Sequence, residues 1–300
     1  MARTARLALA AACGAGFLWG TGALVVNVLI ARHGFSPENI SFWRFVVGAA
    51  VLLAVYARPG VLPALRRHGL LLLGAGCCMA MYVLAWFLGI ARIGAAIPTL
   101  IALCLPPVLV TVLAVLRGRE KADGPLLLVL AAALGGTVLI VWRHGAASGP
   151  TTPDDLLIGI AWSIASAVLY AGFTLVSGRL SQGLGAGPAT MGLTVVAAAV
   201  MGLSALWRPL GWPAEVAPEA WLLYLGVVTA ALALLAFSWG AARLSPTALT
   251  VATLVEPLTA VLLAAWLLGQ QLSASQWLGA ALLLAAIWGL SRRGMGAAHA

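Results

Sequence analysis

Hydrophobic residues in this chain fall in runs of about twenty, separated by short polar breaks. A helix of ~20 apolar residues matches the hydrocarbon thickness of a bilayer. Ten such runs predict helices over roughly 7–30, 40–57, 69–91, 95–116, 125–142, 156–177, 188–206, 220–241, 246–268 and 275–290. The runs do not alternate, as the ~10-residue strands of a membrane barrel would. The breaks carry ordinary stop signals: Ser36-Pro37 after Gly34, two prolines between Arg58 and His68, charges from Arg117 to Asp123, glycine and proline from Arg143 to Asp155, and three prolines between Arg208 and Glu219. Several connections span only a few residues, so consecutive helices are expected to be antiparallel neighbours.

Composition supports an all-α polytopic membrane protein. Hydrophobic residues make up 63% and charged residues 8%, against about 25% charged in a soluble domain. The net charge of +9 could indicate nucleic acid, but the basic residues sit one to three at a time between apolar runs, so no nucleic-acid partner is expected. Cys13, Cys77, Cys78 and Cys104 all lie in apolar runs without CxxC spacing, which points to neither metal nor disulfides. Arg3 and Arg6 precede the first run as in a signal peptide, and Ala10-Ala11-Ala12-Cys13 faintly resembles a cleavage site; the run continues to Ile30, so cleavage is not expected.

Orientation follows from the basic residues. Twelve of the seventeen fall on the N-terminal side of the membrane: Arg3, Arg6, Arg58, Arg66, Arg67, Arg117, Arg119, Lys121, Arg179, Arg243, Arg292 and Arg293. Five fall on the other side: Arg32, Arg44, Arg92, Arg143 and Arg208. The positive-inside rule places both termini in the cytoplasm.

An internal repeat appears at an offset of 151 residues. It aligns Gly89 with Gly240, Ala91-Arg92 with Ala242-Arg243, Leu103 with Leu254, Pro106 with Pro257 and Gly118 with Gly269. Each copy holds five helices, an odd number, so the second must be inserted upside down. The charges agree: Arg117, Arg119 and Lys121 align with Leu268, Gln270 and Leu272, and Arg3 aligns with Asp154. The expected organisation is a first repeat over 1–145, an inverted second repeat over 152–293 and a short cytoplasmic tail over 294–300. Inverted repeats are a feature of secondary transporters, with the substrate near the midplane between halves. The alternatives are a channel or scramblase, or duplication kept only for packing.

Recognisable catalytic chemistry is missing. There is no P-loop motif and only one lysine, Lys121; there is no HExxH; and His33, His68, His144 and His299 lie in loops or the tail. No catalytic pair identifies a membrane enzyme, and no cofactor is expected. The deep polar and aromatic residues are therefore the candidates. Glu256 stands out as a carboxylate inside an apolar run, where a charge costs at least ~2.5 kcal/mol and is usually functional. Against this, Pro257 frees a carbonyl near residue 253, so Glu256 could instead tie helices together. Thr253 shares its face. Met79, Tyr82 and Trp86 form a stripe in the third run that serves either packing or a pocket. Ala230, Ala233 and Phe237 in the eighth run are smaller and would leave room for a ligand. Trp19 lies mid-run beside the Gly16–Gly20 close-packing pair. The sixth run adds Trp162, Ser163, Ser166 and Tyr170; the serines either face a ligand or bond their own helix. Thr99 could supply a further hydrogen bond. Pro106 and Pro257 are expected to break their helices. Arg44 either meets lipid headgroups, the preferred reading, or attracts an anion. Arg92 and Arg243 are expected at helix ends.

Pro246-Thr247-Ala248, Val255-Glu256-Pro257, Leu268-Gly269-Gln270 and Trp277-Leu278-Gly279-Ala280, set in a five-plus-five arrangement, resemble the drug/metabolite transporter superfamily of EamA type. Gln271 departs from a glutamate frequent there, which Glu120 keeps in the first half. Within the superfamily the chain is similar to bacterial amino-acid exporters, particularly the aromatic amino-acid exporter. A multi-pass protein of the bacterial inner membrane is expected, with a monomer as the simplest oligomeric state. The resemblance implies a central cavity, alternating access and a small amphipathic substrate. The lack of a deep lysine or arginine cluster argues against a phosphorylated one.

Overall fold

The structure is a computed structural model that describes residues 2–93, 96–141, 152–268 and 272–296. The described residues form helices, and ten of these are long and apolar enough to cross a membrane. In chain order they are α1 (Ala2–His33), α2 (Pro37–Tyr56), α3 (Val61–Arg67), α4 (Gly69–Ile93), α5 (Ala96–Leu116), α6 (Gly124–Val141), α7 (Pro153–Leu184) and α8 (Ala186–Gly202), then α9 (Val216–Tyr224), α10 (Ala233–Ala241), α11 (Pro246–Thr253), α12 (Val255–Leu268) and α13 (Ala274–Gly296). A π-helical stretch, Leu225–Leu232, joins α9 to α10 in one span, and α11 and α12 form another.

The same device starts three of these helices. Ser36, Thr152 and Ser245 each accept a hydrogen bond from the backbone N–H three residues on, at 3.1–3.2 Å, and each is followed by proline. The hydroxyl satisfies one orphan donor, and proline's fixed φ suits the first helical position.

Two boundaries differ from the sequence expectation. The 58–68 segment contains a short helix, α3, because Pro63 falls in its first turn, where a missing N–H costs nothing. Helix α7 runs on to Leu184 through Gly178, beyond the expected stop at 177. Gly178 acts as a contact point: a Cβ there would lie 2.8 Å from the Ala241 carbonyl. The helix stops at Gly185, whose φ of +83° few other residues adopt.

Packing pairs helices from the two halves of the chain. Helix α4 lies along α7 and α8, and α5 along α7; α1 lies along the α10 span and the α11–α12 span; α2 packs on α8 and on the π stretch, and α6 on α13. Most buried side chains join one central cluster, and a smaller cluster fills the space between α6, α12 and α13.

Candidate functional site

The α11–α12 span is broken at Leu254, whose ψ of −3° closes a tight turn (Leu254 N–H to the Val251 carbonyl, 3.2 Å). Val255 then begins a new helix inside the membrane span. This places Glu256 in the first turn of α12, where unpaired N–H groups and the helix dipole favour a carboxylate by ~0.3–1 kcal/mol. Pro257 follows in the same turn, where proline is tolerated. The break nests on α1: a Cβ on Gly16 would meet the Thr253 carbonyl at 2.7 Å, and one on Gly20 the Glu256 carbonyl at 2.5 Å. The small-residue pair on α1 thus lets two backbones touch at the break.

In the first half the expected break at Pro106 is not formed. Helix α5 is continuous through Pro106 and Pro107. The two prolines still remove the amides that would bond the carbonyls of Ala102 and Leu103. Both of these residues line a central cavity, where polar contents can satisfy a freed carbonyl.

That cavity is narrow, with a volume of about 70 Å³, so a bound small molecule would have to displace its walls or enlarge its mouth. Helix α1 contributes Trp19, Gly22, Ala23 and Val26; α4 contributes Tyr82, Val83, Trp86 and Phe87; α7 contributes Ser166 and Tyr170. The π stretch contributes Leu225 and Thr229, α12 contributes Glu256 and α2 contributes Arg44. Both halves of the chain therefore build it.

Of the candidates read from the sequence, Trp19, Tyr82, Trp86, Ser166, Tyr170 and Glu256 come together on this wall. Their partners hold them in place. The Trp19 indole N–H donates to the Thr229 carbonyl at 3.0 Å. Thr229 lies in the π stretch, whose altered ladder presents backbone carbonyls to neighbouring groups. Trp86 donates to the Thr99 hydroxyl at 3.3 Å, so Thr99 supports the wall from behind. The Ser166 hydroxyl donates to the Tyr82 carbonyl at 2.8 Å, pinning α7 to α4. The Tyr170 and Thr253 hydroxyls lie 3.2 Å apart, tying α7 to the helix break.

The other candidates lie elsewhere. Phe237 is fully buried beneath the wall, 5.4 Å from the Phe173 ring and 5.5 Å from Trp19, so it supports the cavity without lining it. Ala230 and Ala233 are fully buried too. The room expected beside them is taken by neighbouring helices, with Gly48 of α2 against Ala230. Met79 is core packing, with no exposed surface. Ser163 bonds back to the Gly159 carbonyl at 2.7 Å. Trp162 points outward and is 37% exposed, as a lipid-facing side chain would be. Arg92 pairs with Asp155 at 3.0 Å, and Arg243 donates to the Trp239 carbonyl at its helix end. Gly269, Gln270 and Gln271 lie outside the described residues, as do His144 and His299.

Arg44 corrects the sequence reading. The headgroup position expected for it required a place at the end of its helix. Helix α2 starts at Pro37, so Arg44 lies seven residues, about 10 Å, inside it. It faces the cavity, not the lipid surface. The packing of Val47 and Gly48 against Gly226 and Ala230 of the π stretch brings this face of α2 close enough. Sequence reasoning had one signal available: the hydrophobic run containing Arg44 extends upstream through Ile40 and Phe42.

A second cavity lies near the opposite membrane boundary, between the start of α1, the α5–α6 connection and the α10–α11 turn. It is lined by Arg6, Glu120, Asp123, Arg243, Ser245 and Ser291, among others. Phe173, Phe237, Tyr170 and Trp19 form one contiguous aromatic layer at the central cavity, each less than a tenth exposed.

Comparison with known proteins agrees with this architecture. The model of the EamA-like transporter family matches twice, over residues 6–142 and 157–292. The uncharacterized transporter YwfM of Bacillus subtilis is 29% identical over 283 residues, spanning 90% of this chain and 88% of that protein. An uncharacterized transporter of Archaeoglobus fulgidus is 26% identical over 264 residues, spanning 87% of this chain and 89% of that one. One solved crystal structure superposes with a TM-score of 0.80 over 95% of this chain and 98% of its own, at 22% identity, a likeness of fold alone. With both halves matched by one family model and ten helices able to span a membrane, the chain belongs to the EamA-like transporter family and is a multi-pass membrane transporter.

Proposed function

We propose that this transporter exports amino acids, aromatic ones included, and related small metabolites across the bacterial inner membrane by alternating access. The observation that carries this reading is the cavity itself. It has aromatic walls for an apolar side chain, and one cation and one carboxylate for the charged ends of an amino acid.

The moving parts are two inverted five-helix repeats over 1–145 and 152–293. The family model's two matches support this division. So does the packing: exchanging each span for the one five later converts α4–α7 into the α10 span on α1, and α5–α7 into the α11–α12 span on α1, and both pairs pack closely. The same exchange maps the pairs α2–α8 and α6–α13 onto themselves. Rocking one repeat on the other would alternately expose the central cavity and the cavity on the N-terminal side, with the aromatic layer as the barrier between them. The distribution of basic residues supports a cytoplasmic location for both termini.

Protein reconstituted in liposomes is expected to move radiolabelled amino acids with saturation and counterflow. Absence of flux for every member of a broad amino-acid panel would sink the substrate assignment. Flux that never saturates would instead favour a channel.

A further inference from the structure

The guanidinium of Arg44 is an unsolved charge. It lies inside a membrane-spanning helix and lines the central cavity. An arginine side chain does not lose its proton in proteins. Yet its Nε is buried without a hydrogen-bond partner. Among the described residues no carboxylate oxygen lies within 4.0 Å of it. The Phe45 ring lies 5.6 Å from the guanidinium carbon, and Glu256 and Tyr82 are near enough to feel its charge without bonding it. A buried polar group without a partner is rare and costly in folded proteins, so a permanent buried cation calls for an anion that comes and goes.

We propose that Arg44 is the carboxylate anchor of the transported substrate, with Glu256 on the same cavity wall as the counterpart for its ammonium group. This rests on the amino-acid reading above and sharpens it to substrates with a free carboxylate. The chemistry selects among ligand classes. A phosphate dianion would meet one arginine and be repelled by Glu256. A simple organic cation would leave Arg44 unpaired. A zwitterion satisfies both poles and keeps the cavity neutral. Arginine suits this task because its planar fork matches the two oxygens of a carboxylate. Tyr82 and Trp86, on the same cavity wall, supply apolar surface for the remaining side chain.

The test measures binding by tryptophan fluorescence, with the full chain in lipid nanodiscs. The probes are L-phenylalanine, L-leucine, their carboxamides and phenylacetate. Wild type is expected to bind the acids at least ~10-fold tighter than the amides. Arg44→Gln should abolish that preference, and Arg44→Lys should retain part of it. Thermal midpoints report whether each variant is folded; should Arg44→Gln fail to fold, the acid-to-amide ratios of wild type and Arg44→Lys decide. Equal binding of acid and amide by wild type, or an undiminished preference in Arg44→Gln, overturns the proposal. Phenylacetate bound through Arg44 while no amino acid binds would keep the anchor and overturn the amino-acid reading. No binding of any carboxylate probe overturns both.

Discussion

Glycine and aspartate substitutions separate contacts that matter at the scale of one residue from those that do not. Gly14 and Gly20 lie on the same helix. A Cβ on Gly14 meets nothing within 4 Å, whereas one on Gly20 meets the Glu256 carbonyl at 2.5 Å and Thr259 Cβ at 2.6 Å. Gly20→Ala is expected to destabilise by ~1–3 kcal/mol, because the obstacle is backbone that cannot step aside. Gly14→Ala should be neutral or gain up to ~1 kcal/mol from helix propensity. Thermal denaturation in detergent measures both, and equal effects would refute the close approach of α1 to the break. Asp155→Asn removes the exposed partner of Arg92. Solvent and salt screen such pairs, so the thermal midpoint should barely move.

At the scale of helices, the cavity depends on departures from regularity. The Leu254 break gives Glu256 a helix start, and the π stretch offers the Thr229 carbonyl to Trp19. Trp19→Phe keeps most of the apolar surface but strands that carbonyl, a loss expected to cost ~1–3 kcal/mol. Phe237→Leu, one layer below, leaves every hydrogen bond in place and removes only ring packing, against Trp19, Phe173 and Tyr170. If the carbonyl bond orients the indole, Trp19→Phe should weaken substrate binding more than Phe237→Leu at similar loss of thermal stability. Similar binding losses would mean that shape alone holds the wall. The two proline-bearing spans show why a shared motif need not give a shared shape. Pro257 begins a new helix behind a turn, while Pro106 and Pro107 stay within a continuous one.

For the whole molecule the testable claim is orientation. Gly211 lies beside α2, where Asn39 and Trp43 donate to its carbonyl, and Gly60 and Gly118 lie on the opposite face. In a variant with Cys13, Cys77, Cys78 and Cys104 replaced by alanine, single cysteines at these glycines should react differently in intact cells. A membrane-impermeant maleimide is expected to label position 211 and to spare 60 and 118 until the membrane is permeabilised. The reverse pattern would invert the orientation derived from the basic residues.

The ten spans were legible in the sequence because the bilayer imposes them: each must be long, apolar and internally hydrogen-bonded, and composition alone reports that. The start signal Ser36-Pro37 was equally local. So was the singularity of Glu256, a carboxylate in an apolar run. Depth and facing were not local. Which of Phe237 and Tyr170 touches the cavity depends on how α7 and the α10 span pack against α1. Trp162 and Ser166 share a helix four residues apart, yet one faces outward and the other bonds α4. In a membrane both sides of a helix can be apolar, so periodicity does not separate lipid from core. Arg44 shows the limit most plainly. Its charge was visible in the chain, but only the packing of α2 on the π stretch shows that this charge faces the cavity and that its Nε has no hydrogen-bond partner among the described residues.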